Sequence, residues 1–366
     1  MKSAGTHKQT RRVYLDLTHL GRHVTGIERV SIDQFEMQTF RGAELHPVRS
    51  RGILSMLFTQ HILLPVLALF NPSAFFVFPG FPPSPLLLLA RGRTLLYVHD
   101  LFLMTRPQDL SLKARLYMAP SFRMAVRSLK YFLVNSEKTR AELLPHTARD
   151  AAVCLYRPGV GNPFGLSSAG RGARASRPDP LRLVMVGTIE PRKNYPAALA
   201  ILERLRTGKH PSAELHIIGR EGWGVDRTAL AAHPGVHVHG YLPTSKAKTI
   251  IEAADVYLCT SHDEGLGLPL IEAQFAGLPI VAPSRDVFHE VLGSSGTFVD
   301  PENPDAAAAS ISALASSPNW RERSAAAALA NAERWNRLAQ SDLDRALGLF
   351  ERDLAETLRA PQPKAA

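Results

Sequence analysis

The chain has 366 residues, 45% of them apolar and 21% charged, which suits two folded domains and excludes a disordered protein. Only Cys154 and Cys259 occur, both in apolar strand-like settings, so a disulfide framework is excluded and two buried thiols in a reducing compartment are expected. The net charge of +10 is uneven: Lys and Arg outnumber Asp and Glu by 21 to 10 in residues 1–170 and stand at 22 to 23 beyond, a field that suits anionic lipid headgroups, a phosphorylated acceptor or nucleic acid.

Residues 1–12 are polar and basic without an apolar signal core, so secretion is not expected. Residues 13–17 predict a strand, 18–26 a loop containing Gly21 and Gly26, and 27–40 a helix. Strand, Gly-bearing turn and helix open a doubly wound α/β unit. No Gly-x-Gly-x-x-Gly opens that helix, which excludes an ordinary dinucleotide dehydrogenase. Residues 52–90 hold no Asp, Glu, Lys or Arg, and 53–70 form an 18-residue apolar run broken by Thr59, Gln60, His61 and Pro65. Three readings stand for this run: a buried helix, a surface element dipping into one leaflet, and a membrane span. Arg41, Arg49 and Arg51 precede it, and Arg91 and Arg93 follow the uncharged stretch, as a face docking on a bilayer needs.

Strands follow at 74–78 and 94–98, the second ending in His99-Asp100. A His at the carboxyl end of a parallel strand sits where open α/β sheets bind ligands. Asp100 can orient that imidazole or cap the next turn. A helix over 113–129, a strand over 131–134, a helix from Glu137 and a strand over 153–156 complete the first half. Residues 165–180, rich in Gly, Ser, Ala and Arg, read as a linker.

The second half opens with a strand at 181–186 that runs into Gly187-Thr188-Ile189-Glu190-Pro191-Arg192-Lys193-Asn194. Strand 214–218 precedes Gly219-Arg220. His237 and His239 alternate with valines and are expected to be ordinary strand residues. A helix over 246–254 and a strand ending at Leu258 lead to Ser261-His262-Asp263-Glu264-Gly265-Leu266-Gly267-Leu268-Pro269, a short helix carrying Glu272, and a strand from Pro279. Two carboxylates beside a Gly-rich turn and a helix start suit a site that grips hydroxyls and phosphate together. Trp335 lies in an Ala-rich helix. Asp342-Leu343-Asp344, in a C-terminal helix from Ser341, is expected to be a solvated face. No cluster with metal-ligand spacing is visible.

Glu264 and Glu272, with Gly265, Gly267, Pro269, Ala273, Gly277 and Pro279, resemble the Glu-x7-Glu signature of retaining glycosyltransferases of family 4. The resemblance extends to Gly187–Asn194, His99-Asp100, Arg157-Pro158-Gly159-Val160, Trp335, and Thr25 to Val30. The family's glycine pair in the first loop is replaced here by Leu20-Gly21-Arg22. The resemblance implies a GT-B fold: two Rossmann-like domains facing a cleft, an acceptor domain over 1–170, a linker over 171–180, a nucleotide-sugar domain over 181–340, and a helix over 341–366 crossing back to the first domain. It assigns Arg192 and Lys193 to the departing diphosphate, Glu264 to the donor-sugar hydroxyls, Glu272 to the ribose and His99 to the transferred sugar. Gly187, Thr188, Gly219, Arg220, Gly265, Leu266 and Gly267 fall to donor binding, and Gly21, Gly26 and Asp100 to the acceptor side.

The expected reaction is sugar transfer with retention, from a nucleotide diphosphate sugar to a saccharide or lipid-linked acceptor of a bacterial surface polysaccharide. No cofactor or metal is expected, because two cations supply the charge stabilisation. The Glu190–Asn194 segment resembles mannosyl- and rhamnosyl-transferring members, favouring GDP-mannose, with a UDP-sugar or dTDP-rhamnose as alternatives. A sugar-nucleotide epimerase or hydrolase of the same fold and a non-catalytic sugar-nucleotide-binding protein are the other classes. A nucleic-acid partner lacks any recognition-helix or RNA-binding motif. The expected location is the cytoplasm, with peripheral attachment to the inner face of the cytoplasmic membrane.

Overall fold

The computed structural model describes residues 11–20, 26–35, 43–110, 112, 114–171 and 180–359. The chain divides into two compact units, Met1–Pro158 with Ala339–Ala366, and Gly159–Leu338. Residues 159–170 therefore cluster with the second unit, because Val160 and Leu166 are buried in its core.

The first unit carries β1 (Arg11–Asp16), β2 (Ala43–Val48), β3 (Phe75–Phe78), β4 (Thr94–Val98), β5 (Tyr131–Val134) and β6 (Ala152–Leu155). They form one parallel sheet in the order β2-β1-β3-β4-β5-β6. β3 and β4 are buried along their whole length, as continuous apolar runs require when both faces are covered. β2 was not anticipated. It is a half-exposed edge strand interrupted by Pro47, so it lacks the apolar run that marks a central strand.

The apolar run of the first half is helical throughout: Ile53–Phe58, a wide π-wound turn Thr59–Leu63, then Leu64–Phe70. The wide turn accommodates Pro65, whose ring opposes ordinary helical hydrogen bonding, and Leu64 N–H reaches back to Thr59 O. One face is buried through Met56, Leu64 and Ala68, while Leu54, Phe58, Ile62, Leu69 and Phe70 are exposed. Ile53–Phe70 is long and apolar enough to cross a membrane by length and composition, with one third of it buried inside the protein.

The second unit carries β7 (Arg182–Val186), β8 (Glu214–Ile218), β9 (Val236–Gly240), β10 (Val256–Leu258), β11 (Ile280–Pro283) and β12 (Gly296–Val299). Their order, β12-β11-β10-β7-β8-β9, is that of a doubly wound dinucleotide-type sheet, all parallel. Strand order reverses between β7 and β10, and ligands of such sheets bind at the carboxyl ends of the strands flanking that point.

One continuous helix, Trp320–Arg359, replaces the separate late helices expected from the sequence. Trp335 is wholly buried in the second unit, and Asn336 exchanges two hydrogen bonds with Val160, N–H to Oδ1 at 2.8 Å and Nδ2 to O at 3.0 Å. From Ala339 the helix belongs to the first unit. There Asp342 is not solvated, as the sequence suggested. Its side chain is fully buried, accepting from Arg157 at 2.7 Å and Arg345 at 2.8 Å.

Candidate active site

The turn after β7 and the loop after β10 meet as the strand order demands. Gly187 takes φ +143°, a conformation open to glycine, and a Cβ there would lie 3.3 Å from the Lys193 ammonium. Gly219, after β8, approaches so closely that a Cβ would lie 1.7 Å from Gly187 O. Pro191–Lys193 forms one tight helical turn. Asn194 then adopts the left-handed conformation, φ 52° and ψ 54°, which asparagine tolerates better than most residues, and the helix Tyr195–Thr207 begins.

Across from this turn, the β10 loop supplies an anchor. Thr260 Oγ1 donates to Lys193 O at 2.8 Å and Asn194 O at 3.0 Å, and His262 N–H donates to Arg192 O at 2.9 Å. Lys193 Nζ donates to Glu264 Oε1 at 2.7 Å, Arg192 pairs with the other Glu264 oxygen and with Glu190, and Ser261 Oγ donates to Glu264 Oε1 at 2.8 Å. Arg192 also donates to Asp263 O at 2.8 Å. Glu264 and Glu190 are both buried. Burial alone would raise the Glu264 carboxyl; Lys193 and then Arg192 overcome it and hold it at about 2. Burial opposes the Arg192 charge too, but Glu264 and Glu190 keep the guanidinium above its ordinary range. Four charges of alternating sign are thus interlocked beside a pocket walled by Val186, Lys193, Tyr257, Ser261, Glu264 and Gly267. Such interlocked burial costs desolvation and is weak evidence of a stability role. Its place at a strand-order reversal makes it the candidate functional site.

Most residues assigned to the donor side come together here. Gly187, Arg192, Lys193 and Glu264 share the site, and Gly219 packs on Gly187. Thr188 turns its methyl toward Gly222, and Arg220 O accepts from Ile189 N–H at 2.9 Å, so these two shape the neighbouring turn. Gly265 follows Glu264, and Gly267, at φ +88°, starts the helix Leu268–Gln274. That helix has seven residues, with Pro269 in its first turn. The Leu266 side chain belongs to the hydrophobic core, which leaves its backbone alone for binding. Glu272 is buried on the short helix. Glu190, Ser261 and Thr260 were missed as partners; Glu190 and Ser261 sit within the quoted motifs, at loop positions next to strand ends.

In the first unit the strand order reverses between β1 and β3, and a second polar group gathers there. His99 Nε2 donates to Pro79 O at 2.7 Å, and Asn135 Nδ2 donates to His99 O at 2.8 Å. Asp100 accepts from Phe102 N–H at 2.9 Å, so it caps the following turn. His19, which the sequence reading passed over, follows β1 directly. Its ring lies 2.5 Å from where a Gly80 Cβ would be, its Nε2 is 3.3 Å from Ser31 Oγ, and its buried Nδ1 has no partner among the described residues. Gln60, from the π-wound turn, donates to buried Asp16 at 3.1 Å and to Thr18 at 2.8 Å. Gly21 lies outside the described residues, and Gly26 begins the helix Gly26–Gln34.

Burial pushes His99 down to about 4, against the hydrogen bond to Pro79. Burial and then the neighbouring His99 push His19 to about 4 as well. Both imidazoles are neutral when folded, while the unfolded chain takes up protons below about 6.5. Stability of the first unit is therefore full above that value and falls as pH drops toward 4, by up to about 3 kcal/mol for each imidazole. Glu264 acts in a lower window: its contribution is present above its ordinary 4.5 and is lost as pH falls through about 2. Denaturation at pH 7 and pH 5 checks this: His99→Gln flattens the slope, and an unchanged slope contradicts the assignment.

Residues 170–331 match the family model described as glycosyl transferases group 1. The chain is 31% identical over 156 residues to O-antigen chain mannosyltransferase B of Escherichia coli, a match covering 41% of this chain and 41% of that protein. Among solved structures, sucrose-phosphate synthase of Thermosynechococcus elongatus superposes with a TM-score of 0.69 at 15% identity, over 94% of this chain and 100% of that one. Alr3699/HepE of Anabaena in complex with UDP-glucose superposes at 0.59 and 14% identity, over 96% and 100%. The fold is GT-B, two parallel six-stranded α/β units.

Proposed function

We propose that this chain is a retaining hexosyltransferase that moves a sugar, mannose from GDP-mannose, onto a lipid-linked saccharide of a bacterial surface polysaccharide. The observation that carries this reading is the Arg192–Lys193–Glu264 cluster at the strand-order reversal of the second unit. The group 1 match and the mannosyltransferase relative support the reaction class and the mannose donor. The neighbour holding UDP-glucose supports a nucleotide-sugar donor.

In this mechanism, negative charge grows on the β-phosphate as the glycosidic bond breaks. Lys193 offers a compact ammonium and Arg192 a planar fork, both already oriented before the donor arrives, so little reorganisation accompanies the reaction. Glu264 holds the two cations in register through its paired oxygens and accepts hydrogen bonds from donor-sugar hydroxyls. Glu272 takes the ribose. In the first unit, His99 spends Nε2–H on Pro79 O, which leaves Nδ1 as a neutral acceptor for a sugar hydroxyl. No side chain is assigned as covalent nucleophile. Attack on the same face as departure, with the leaving phosphate taking the acceptor proton, gives retention. Two fixed cations make a divalent ion unnecessary for this step.

A thermal-shift screen of sugar nucleotides in excess EDTA tests the donor. GDP-mannose is expected to stabilise the protein by a margin that EDTA leaves unchanged. Stabilisation by none of the nucleotide sugars, or only after a divalent ion is added, contradicts the reading.

The acceptor side carries its own observation. Leu54, Phe58, Ile62, Leu69 and Phe70 form an exposed stripe on the Ile53–Phe70 helix, and Leu86 and Leu89 are exposed on the turn packed beside it. A contiguous apolar surface of this kind marks an interaction site. Exposed Arg51, Arg115, Arg123 and Arg127 and the basic first half favour an anionic bilayer as its occupant, on the inner face of the cytoplasmic membrane. The protein is expected to sediment with anionic vesicles and not with zwitterionic ones. Leu54→Ser, Phe58→Ser and Phe70→Ser together are expected to weaken this at least about tenfold, since each large apolar side chain is worth about 1.5–3 kcal/mol on burial. Undiminished sedimentation of that variant removes the surface from the proposal.

A further inference from the structure

A second group of chemistry-bearing side chains lies apart from the Arg192–Lys193–Glu264 loop, on β8 and the edge strand β9. Leu215 and Ile217 on one face of β8 enter the core, and Val236 on β9 joins them, with Val238 packed against the same cluster. The opposite face presents Glu214 and His216 from β8 and His237 and His239 from β9. The strands are parallel, with His216 paired to His237 and Ile217 to Val238. The register then slips, so that Ile218 pairs with Gly240 and His239 becomes the extra residue of a bulge. Bulges re-aim side chains, and here the His239 ring comes to lie parallel to that of His216, 4° between planes and 5.3 Å between centroids.

The four side chains form a connected patch. His216 Nδ1 is 3.0 Å from His239 Nε2, and His216 Nε2 is 3.3 Å from Glu214 Oε2. One ligand atom each from Glu214, His216 and His237 lies within 4.8 Å of the others. Tetrahedral zinc at about 2.0–2.1 Å from nitrogen needs donors about 3.3 Å apart, so ion binding requires these ligand atoms to close in from within 4.8 Å. Arg182 Nε donates to Glu214 Oε2 at 3.1 Å, which orients the carboxylate as second partners of metal ligands do. Glu214, His216 and His239 are half-buried and His237 is exposed, so an ion has a path in from solvent. Two imidazoles and one carboxylate, with water in the fourth position, suit zinc over magnesium or calcium, which take oxygen ligands.

We propose that Glu214, His216 and His237 form a zinc-binding site that clamps β9 to β8, with His239 holding the His216 ring through Nδ1. The clamp is structural and independent of the transfer chemistry. The ends of both strands reach the donor turn through backbone hydrogen bonds that use no ligand side chain, Gly187 N–H to Ile218 O at 2.9 Å and Gly219 N–H to Gly240 O at 3.0 Å, so the turn keeps its support in EDTA.

The test uses the full chain stripped of metal and titrated with ZnCl2 by calorimetry, and with CoCl2 by visible absorption. One Zn2+ per chain, a rise in melting temperature on adding it, and the absorption of tetrahedral Co2+ are expected. His237→Ala combined with His239→Ala alters side chains outside the core; it is expected to keep the wild-type circular dichroism and to lose that absorption and at least about tenfold in zinc affinity. Lys193→Ala is expected to keep both. Equal zinc binding and an equal Co2+ spectrum in the double histidine variant overturn the site, as does a wild-type chain that binds no zinc.

Discussion

Lys193→Ala is expected to lower the turnover number for the proposed sugar transfer by about 10²–10³-fold, the size of effect seen when one preorganised charge or donor is removed from a developing anion. The geometry sets this expectation. Lys193 Nζ donates at 2.7 Å to a carboxylate held at about 2, and its flank faces Gly187, where no side chain intrudes. Removing the ammonium leaves Glu264 paired with Arg192, so the loop keeps its structure and the loss falls on the chemistry. Lys193→Arg is expected to recover little, because a planar fork cannot occupy the place of a compact ammonium. Glu264→Gln is expected to cost turnover as well, and it also leaves two half-buried cations with reduced compensation, which lowers stability. Near-wild-type turnover in Lys193→Ala, measured with a folded variant, contradicts the role given to the cluster.

Asp342→Ala is expected to destabilise the first unit by about 2–4 kcal/mol, because buried Arg157 loses its carboxylate partner at 2.7 Å while keeping Glu137 at 3.8 Å. The Asp342 side chain is fully buried, and Arg157, nearly as buried, donates to it at 2.7 Å. This pair fastens the middle of the Trp320–Arg359 helix, where it enters the first unit, to the strands of that unit. The chain offers a selective readout. All three tryptophans, Trp223, Trp320 and Trp335, lie in the second unit. Asp342→Ala is expected to shift the first unit's unfolding, followed by circular dichroism, and to leave the tryptophan transition in place. A shift below about 1 kcal/mol makes the pair dispensable.

Much of the fold is legible in the sequence, for a physical reason. β3, β4, β5 and β7 are central parallel strands, and covering both faces leaves them nearly continuous apolar runs. β2 lies at an edge, where half-exposure and Pro47 erase that signal. The proposed donor loop is legible as a loop too: Gly187, Arg192, Lys193 and Glu264 stand at strand ends, where ligands of such sheets bind. Their meeting across about 70 residues is not, since it depends on β10 lying beside β7, and sheet order is a tertiary property. The same limit hid His19, whose importance follows from the reversal between β1 and β3, and the histidine patch, which needs both the register of His216 with His237 and the bulge at His239. Asp342 shows the converse failure. A charged residue in a polar helical stretch reads as solvated, and only the buried Arg157 opposite explains its place.

The central claim is that the Arg192–Lys193–Glu264 cluster serves sugar transfer with retention, and the product's anomeric configuration tests it most directly. The protein is given GDP-mannose, whose anomeric linkage is α, with a lipid-linked saccharide acceptor in excess EDTA, and the new linkage is read from the one-bond carbon–proton coupling at the anomeric carbon. An α-linked mannosyl product, lost in Lys193→Ala, is the predicted result. A β-linked product, or release of free mannose with no acceptor modified, would contradict the account.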